Sequence, residues 1–503
     1  MTSAWPRIYR GLNRRERVGW ILGLTPLQTV LCLVLAVPVL LAIAGGRFAD
    51  AAILLLLDGS AAALIVVPVR GRPGVQWLWH LLLYQAGIAA GWSRWQSKAA
   101  AGAAVDPDEP DLPGVLQRIA FPDGPMFRDR GRVCLIHDTA EGRWGATARL
   151  THSGVGMLSD EQCERLASRL GTLLLSLGQR EVIDRLSLLV RTVPDDGTEY
   201  QVWRADNEIP QAPPLARQAT DELDRLIGSA SIRHEVFITV SGTEDRLRKP
   251  ATAAGGGIAG RAHTLYRVLD GLEEPLKALG VRTVEWLNGA GMAEALRTGF
   301  NPAARAVLAT AHERGTPGRG LEKAAAGPTE APPPQPRSYT HDAYTTVAYT
   351  VLMPEAGTVF GSLGPLLAVR TAGERRTLAI HYQVLGARQA KRAVRGNRSR
   401  SREVRQVKAK SGFTISADDE RDASGAHAQE QAVAAGHTVV RFAVAAAVTV
   451  PSAWQVEDHA ARLENDVSGR FRLLRLDLAQ DTGFVASCLP VGIGLPRRRR
   501  DLL

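Results

Sequence analysis

Two long apolar runs near the start of the chain limit what it can fold into. Residues 21–44 carry no charged side chain, and residues 48–69 are apolar except for Asp50 and Asp58. An α-helix rises about 1.5 Å per residue, so the first run reaches about 36 Å, enough to cross a hydrocarbon core of about 30 Å. Because the turn at 45–47 is short, the two runs predict a transmembrane helical hairpin. Two buried core helices are the alternative interpretation.

Basic residues around the hairpin predict its orientation. Those outside it are Arg7, Arg10, Arg14, Arg15 and Arg17 before the first run and Arg70, Arg72, Arg94 and Lys98 after the second. The connecting turn contains only Arg47. Segments rich in arginine and lysine stay on the cytoplasmic side, so both chain termini are expected in the cytoplasm.

Asp58 lies in the middle of the second apolar run. An ionisable residue inside a membrane is a functional hypothesis by default, and the simplest function is pairing with another membrane subunit. A kink at Asp58-Gly59 is the alternative interpretation.

An aromatic segment follows the hairpin at residues 75–96. Its aromatic residues are Trp77, Trp79, Tyr84, Trp92 and Trp95. Such a density of Trp and Tyr beside a span predicts a helix lying in the membrane interface. A core helix packed on the soluble region is the alternative.

The rest of the 503-residue chain is predicted to be α+β. Short β-branched strands alternate with amphipathic helices, which predicts two ferredoxin-like cytoplasmic halves of the split β-α-β type. The predicted organisation is a basic N-terminus, hairpin and interfacial helix at 1–98, a linker at 99–114, a first α+β domain at 115–314, a Pro/Gly-rich linker at 315–337, a second α+β domain at 338–492 and a basic tail at 493–503.

End signals and periodicity predict the elements of the first half. Residues 158–177 predict a helix in which Ser159 is the N-cap and Gln162 its capping-box partner. The predicted strands are Val133–His137, Trp144–Leu150, Leu186–Val193, Glu235–Val240 and Val281–Leu287, and the further helices are 214–228 and 261–279.

The second half begins with predicted strands at Tyr344–Met353 and Arg376–Val384. The polar stretch 386–436 predicts a helical hairpin. The last part predicts the order β-α-β-β, made of Thr438–Val450, a helix at Trp454–Val467 with Ser452 as N-cap, Phe471–Leu476 and a final strand at Phe484–Leu489.

The sequence carries no motif that indicates catalysis or metal binding. It has no Gly-Lys dipeptide and therefore no Walker A phosphate loop. It also has no His-Glu-x-x-His and no Gly-x-Ser-x-Gly. Its four Cys are far apart and form no Cys-x-x-Cys. We therefore predict a protein that is not an enzyme and holds no cofactor or metal.

A basic stripe runs through the predicted helical hairpin. Ten basic residues lie between Arg388 and Lys410, and Glu403 is the single acid among them. Steps of three and four place most of them on one helix face: Arg388, Lys391, Arg392, Arg395, Arg398, Arg402 and Arg405. The stripe predicts contact with anionic lipid, an acidic protein or nucleic acid. A solvated helix face is the alternative.

Several sequence pieces, taken in order, resemble one known family. They are Tyr9-x-Gly11 with Gly19-Trp20 and Gly23-Leu24, the segment 279–302 with its Asn301-Pro302 end, His341-Asp342-Ala343-Tyr344, the basic hairpin, Val440-Arg441-Phe442, Arg472–Leu476 and Cys488–Gly492. Over most of its length the chain resembles the actinobacterial integral membrane proteins of conjugative elements, which are encoded beside a type IV secretion ATPase.

The resemblance implies a two-span PrgI-like or VirB-type membrane subunit joined to the non-hydrolysing N-terminal domain of that ATPase. The implied function is a structural component of a conjugative type IV secretion machine that docks the transfer ATPase at the bacterial plasma membrane. The implied partners are membrane lipid, the ATPase, other secretion subunits and further copies of the chain. A membrane subunit of a type VII secretion complex and a membrane-tethered DNA-binding protein acting through 388–410 are the alternatives.

Overall fold

The computed structural model describes most of the chain apart from its two ends and several short gaps. The described residues are 26–69, 72–91, 94–128, 131–152, 154–156, 158–180, 182–194, 204, 207, 209, 211–228, 232–314, 320–354, 357–410 and 417–495. The basic residues before the hairpin, residues 21–25 of the first apolar run and the basic end of the tail lie outside this set.

Three helices form the N-terminal segment. Helices α1 (Pro26–Ala44) and α2 (Phe48–Val66) pack side by side, and α3 (Gly74–Ala89) packs on α2. The two long helices run antiparallel, because Gln28 Nε2 at the start of α1 donates to Ile65 O at the end of α2 at 3.0 Å.

The remaining elements form the α+β part of the chain. The helices are α4 (Asp160–Gln179), α5 (Pro214–Gly228), α6 (Glu244–Ala253), α7 (Gly257–Ala278), α8 (Gly289–Phe300), α9 (Ala304–Arg314), α10 (Ala387–Lys410), α11 (Ala417–Ala434), α12 (Val456–Val467) and α13 (Gln480–Cys488). The strands are β1 (Pro68–Val69), β2 (Arg72–Pro73), β3 (Trp95–Gln96), β4 (Ile119–Ala120), β5 (Asp123–Met126), β6 (Arg132–Asp138), β7 (Arg143–His152), β8 (Arg185–Pro194), β9 (Ile232–Thr243), β10 (Val281–Trp286), β11 (Glu330–Ala331), β12 (Tyr339–His341), β13 (Tyr344–Leu352), β14 (Arg375–Val384), β15 (Val440–Pro451) and β16 (Arg472–Arg475).

Twelve strands of the described chain join into one antiparallel sheet. The path is β12-β13-β15-β14-β8-β9-β7-β6-β4, and β16, β10 and β5 pair with β13, β7 and β6. The prediction of an α+β fold is confirmed. The predicted domains 115–314 and 338–492 meet at the centre of the sheet, where β8 pairs with β14 in a register that sets Leu188 opposite Ile380.

The two halves of the sheet repeat one arrangement. The order in the first half is β6-β7-β9-β8 with β10 on the outer edge of β7, and the order in the second is β12-β13-β15-β14 with β16 on the outer edge of β13. The next residue after each edge strand makes the same bond: Leu287 N donates to Thr147 O at 2.9 Å, and Leu476 N donates to Ala348 O at 3.0 Å. Because β8 and β14 are antiparallel, the repeats are related by an approximate two-fold axis.

Each central strand contributes to two cores, since alternate side chains point to opposite faces of a sheet. On one face α8 and α13 pack over Leu189, Phe237, Ala379 and Ala445. On the other face, α4 and α7 cover the first half and α12 covers the second.

Most predicted elements are present. The capping box is confirmed, because Ser159 N donates to Gln162 Oε1 at 2.8 Å and Gln162 N donates to Ser159 Oγ at 3.3 Å. The helical hairpin predicted for 386–436 is confirmed as α10 and α11, which pack on each other.

Two predictions near the C-terminus are wrong. Phe484–Leu489 is not a strand, because Phe484–Cys488 belongs to the buried helix α13. A short apolar run fits either structure, and this one is a helix buried against β13 in the same core as α8. Ser452 is not the N-cap of α12, because a turn from Pro451 to Trp454 delays the helix and places its N-cap at Gln455.

The two stretches predicted as linkers pack on the sheet. Leu112 in the first and Ala326 in the second are buried in the core beneath α8 and α13. In addition, β3 pairs with β11, so the chain leaving the N-terminal helices is joined to the stretch between the halves.

Candidate functional site

The N-terminal helices expose an almost continuous apolar surface. Large side chains on both helices face outward, including Leu41 at 67% and Leu56 at 77% exposure. Within the described residues, Phe48–Val66 is long and apolar enough to cross a membrane, and the apolar part of α1, Gln28–Ala44, is shorter. The structure therefore shows one candidate span by length and composition.

Asp58 lies at the middle of α2 and is half-buried. Its Oδ2 atom is enclosed by protein atoms and makes no hydrogen bond within the described chain. A carboxylate oxygen without a partner in an apolar segment is costly, so it needs a hydrogen-bond donor.

Two contacts hold the N-terminal helices against the sheet. Tyr84 Oη of α3 donates to Pro334 O at 2.9 Å. The β3–β11 pair sets Trp95 opposite Ala331, which is 2% exposed. Residues 330–334 thus connect the apolar hairpin to the folded core.

The basic stripe lies on α10. At its start, Ala390 and Val394 are buried against Val433 of α11. Arg388, Lys391, Arg392 and Arg395 are exposed on the other sides of the helix. The side chains of Arg398, Arg402 and Arg405 lie outside the described set.

The acidic start of α11 lies at the far end of this hairpin. Residues Asp418, Asp419 and Glu420 begin α11, whose chain direction opposes that of α10. The end of α10, which carries Arg402 and Arg405, is therefore followed closely in the sequence by this acidic cluster. The first turns of α10, near the sheet, carry the exposed basic residues.

Sequence reasoning missed two buried arginines at the centre of the sheet. Arg191 of β8 and Arg375 of β14 are 0% and 1% exposed. Burial lowers the pKa of each guanidinium from its usual value. Arginine side chains nevertheless stay protonated in proteins. The only sequence signal is an arginine inside an apolar strand, as in Leu188–Val193.

The hydrogen bonds of Arg191 run to both central helices. Its Nε donates to Cys488 O at 2.9 Å, and its Nη2 donates to Ala295 O at 2.8 Å. Glu235 Oε2 lies 3.8 Å from Nη1 and supplies the nearest opposite charge.

Arg375 and a neighbouring histidine bind the last carbonyls of α8. Arg375 Nη1 donates to Thr298 O at 2.7 Å, and Nη2 donates to Gly299 O at 2.6 Å. His341 Nδ1 donates to Phe300 O at 2.6 Å. These carbonyls have no partner within the helix and carry its negative dipole end, so cationic and N–H donors stabilise them.

A second buried ionic cluster lies in the repeat that contains β14. Glu374 accepts from Arg376 Nε at 2.6 Å and bonds His459 Nδ1 at 2.8 Å. Arg376 Nη1 also donates to Asp466 at 2.7 Å, and Arg370 pairs with the same carboxylate. Every member therefore has a partner, and the cluster joins β14 to α12.

The described chain also contains a large apolar groove that sequence reasoning missed. It has a volume of about 950 Å³; its floor lies on the sheet face opposite α8 and α13, and its lining also reaches Glu294 and Thr298 of α8. Its floor is the central strands, and its walls are α4 on one side and residues 358–367 on the other. The groove is a tertiary feature, since its floor residues come from both repeats.

No protein-family model and no curated protein matches this sequence. Among the residues that the structure describes, no group of three or more His, Cys, Asp or Glu is placed to hold a metal ion.

Proposed function

We propose that this protein is a membrane-anchored structural component of a conjugative, type IV-like secretion machine and that it docks the cytoplasmic transfer ATPase. The observation that carries the proposal is an exposed apolar helical hairpin joined at residues 330–334 to one continuous twelve-stranded sheet. An apolar hairpin needs a lipid environment, and a sheet of this size provides a rigid platform beside it.

The use of the buried polar groups supports a structural role. His381 Nδ1 bonds Ser187 Oγ at 2.8 Å, and its Nε2 bonds Ala486 O at 2.9 Å. His341 likewise uses both ring nitrogens, on Phe300 O and Thr346 Oγ1. General acids and bases must reach a substrate, whereas these side chains are committed to positions inside the fold.

The exposed basic face of α10 is the proposed contact for the ATPase. Four basic residues face solvent where the α10–α11 hairpin leaves the sheet: Arg388, Lys391, Arg392 and Arg395. Complementary charge increases the rate and the specificity of association, so an acidic surface on the partner is expected. Asp58 is proposed to meet a donor from another membrane subunit, either a further copy of this chain or a different component.

We further propose that both spans of the hairpin cross the bacterial plasma membrane with both termini in the cytoplasm. A Gly46→Cys variant tests this orientation, because the α1–α2 turn then lies outside the cell. A membrane-impermeant maleimide should label it in intact cells. Labelling only after lysis would contradict the proposed topology.

The functional experiment is affinity purification of the tagged full chain from its native membrane in mild detergent, followed by mass spectrometry. A transfer ATPase and other conjugation subunits should be recovered in stoichiometric amounts. Replacing Arg388, Lys391, Arg392 and Arg395 with Glu should remove the ATPase but keep membrane subunits. A matched Arg248→Glu, Lys249→Glu variant, which changes exposed residues of α6, should keep both.

Recovery of DNA without an ATPase would contradict the proposal and favour the tethering alternative. In that case, affinity should fall steeply with salt, because phosphate contacts release counterions. Recovery of no partner would contradict both functions.

A further inference from the structure

We propose, building on the membrane anchoring of the α1–α2 hairpin, that α3 binds the head-group region of the lipid bilayer with one face and holds the folded core against the membrane with the other. The lipid-binding surface of the protein thus extends beyond the two spans. The core is held beside the membrane, and no free linker separates the two.

The outward face of α3 is apolar and uncovered. Leu78, Trp79, Leu82 and Leu83 are spaced so that they share one face of the helix. All four are exposed, Trp79 at 59% and Leu82 at 55%. The surrounding residues 73–93 contain no Asp, Glu, Lys or Arg. A contiguous exposed apolar face of this kind marks a contact with a membrane or with another protein.

The opposite face of α3 is turned toward the protein. Trp77, Leu81 and Tyr84 are spaced by four and three residues and are half-buried. Tyr84 Oη donates to Pro334 O of the folded core at 2.9 Å. A free interfacial helix carries a charged face toward water. Since the core occupies that side of α3, the helix needs no charged residues there.

The position of α3 relative to α2 favours lipid as the occupant of its outward face. Gly74 N donates to Val67 O at 3.1 Å, and a Cβ on Gly74 would lie 2.7 Å from Leu64 O. The start of α3 therefore lies against the last turn of α2. In the proposed topology, this end of α2 is at the cytoplasmic boundary of the membrane, so α3 begins at the level of the head groups.

The length of α3 is that of an interfacial helix. Its 16 residues rise about 24 Å, which is less than the roughly 30 Å of a hydrocarbon core. A short apolar helix with tryptophan side chains is typical of the membrane–water boundary. Because α3 packs on α2, its exposed face lies beside the apolar surface of the hairpin, which the same bilayer covers.

The test measures the depth of single fluorophores in the full-length protein. The protein is reconstituted in vesicles of dioleoyl phosphatidylglycerol and dioleoyl phosphatidylethanolamine. An environment-sensitive dye is attached to Leu82→Cys on α3, to Leu56→Cys as a reference inside α2, or to Lys249→Cys as an exposed control on α6. All variants carry Cys32→Ala, because the other three native cysteines are buried.

Lipids that carry a nitroxide quencher at the head group or at the end of an acyl chain report the depth of each dye. The dye at Leu82 should lose most fluorescence with the head-group quencher, and the dye at Leu56 with the chain-end quencher. The dye at Lys249 should lose fluorescence with neither lipid.

Three outcomes would overturn the proposal. Quenching at Leu56 without quenching at Leu82 would place α3 outside the membrane, although the hairpin would remain a membrane anchor. Quenching at neither position would contradict the anchoring itself. An apolar emission spectrum at Leu82 without quenching by either lipid would show that protein, such as a second copy of the chain, covers α3.

A second measurement tests whether α3 holds the core against the membrane. A dye on Pro333→Cys, an exposed position beside the Tyr84 contact, should also be quenched by the head-group nitroxide. Adding Leu82→Glu and Leu83→Glu should reduce this quenching, because carboxylates weaken binding of the apolar face. Adding Arg248→Glu on α6 should leave it unchanged.

Unchanged quenching at Pro333 in the double glutamate variant would overturn the holding role of α3. Absence of quenching at Pro333 in the parent protein would overturn it as well. The parent measurements at Leu82 and Pro333 keep the test decisive if the double glutamate variant does not fold.

Discussion

At the scale of single residues, the two central arginines explain how the halves are held together. Arg191 belongs to the first repeat and donates to Cys488 O in the second, whereas Arg375 belongs to the second and donates to Thr298 O and Gly299 O in the first. Burying a guanidinium costs free energy, and hydrogen bonds to helix C-terminal carbonyls offset that cost. Each guanidinium therefore donates to the helix of the opposite half, and Arg191 also donates to Ala295 O in its own half.

Replacing Arg191 with Met tests this account. The change keeps the length of the side chain but leaves Cys488 O and Ala295 O without their donor. We expect a loss of about 3 kcal/mol in the free energy of unfolding, because buried acceptors and Glu235 lose a partner. Thermal unfolding followed by circular dichroism measures it. An Arg248→Met control on the surface should change the Tm little, and equal Tm values for both variants would contradict the account.

The buried histidines predict a loss of stability in acid. Burial lowers the pKa of His381 to about 4, and burial together with Arg375 lowers the pKa of His341 to about 3. Both rings are neutral in the fold, so the unfolded chain binds more protons below its ordinary value near 6.5. Stability is therefore complete above about pH 6.5 and falls as the pH drops toward 4.

The expected cost is about 2 kcal/mol for each histidine at pH 5. The Tm of the wild type should decrease from pH 7 to pH 5, and His381→Gln should show a smaller decrease. A His427→Gln variant on α11 provides the control, since this histidine is exposed. An unchanged pH dependence in His381→Gln would show that His381 does not titrate as proposed.

At the scale of elements, α13 shows how tertiary packing selects secondary structure. On the outer edge of β13, β12 pairs with residues 344–346 and β16 pairs with residues 349–352. Ala348 lies between them, and its N–H donates to Gln480 Oε1 at 2.8 Å. The side chain of Gln480, the first residue of α13, thus accepts the hydrogen bond that a pairing strand would otherwise accept at this edge of β13.

Close packing of α8 on α13 gives a prediction for Gly299. A Cβ at this position would overlap Leu489 and lie 3.1 Å from Arg191 Nη2. Gly299→Ala should therefore cost about 1–3 kcal/mol in the free energy of unfolding, as overpacking does in other cores. Chemical denaturation at neutral pH measures the change.

Gly396 on α10 provides the matched control. An added Cβ there would meet no atom within 4 Å. Gly396→Ala should be neutral or stabilise by up to about 1 kcal/mol, because alanine is the better helix former. Equal destabilisation by both changes would show that packing against Leu489 is not the cause.

At the scale of the whole molecule, the repeated halves share the core under α8 and α13, although each half has its own core on the other face of the sheet. Both central helices lie in one hydrophobic cluster, which includes Leu296 from the first half and Phe484 from the second. The β8–β14 ladder adds a continuous set of backbone bonds between the halves. Separating them would expose an unpaired central strand and the buried arginines.

We therefore expect that neither half folds alone. A chain of residues 1–319 and a chain of residues 320–503, expressed separately, should aggregate or remain unfolded. Expressed together, they should copurify and restore the circular dichroism spectrum of the intact protein. A cooperative unfolding transition in either half alone would contradict a shared core. The intact chain with a protease site inserted at residues 315–319 is the control.

The local elements, the α+β class and the apolar character of the N-terminal helices could be predicted from the sequence alone. Helix caps, β-branched strands and apolar runs act over a few residues, so they can be read without a structure. The capping box at Ser159 and the hairpin of α10 and α11 are examples. The membrane topology, the basic-stripe partner and the secretion function stay predictions.

Tertiary structure alone decided the joining of two repeats into one sheet, the helical form of Phe484–Cys488 and the apolar groove. Each depends on contacts between residues far apart in the chain, as Arg191 and Cys488 are. The energy of such contacts comes from burial and from satisfying backbone groups of another element. The local sequence pattern does not show which distant element supplies the partner.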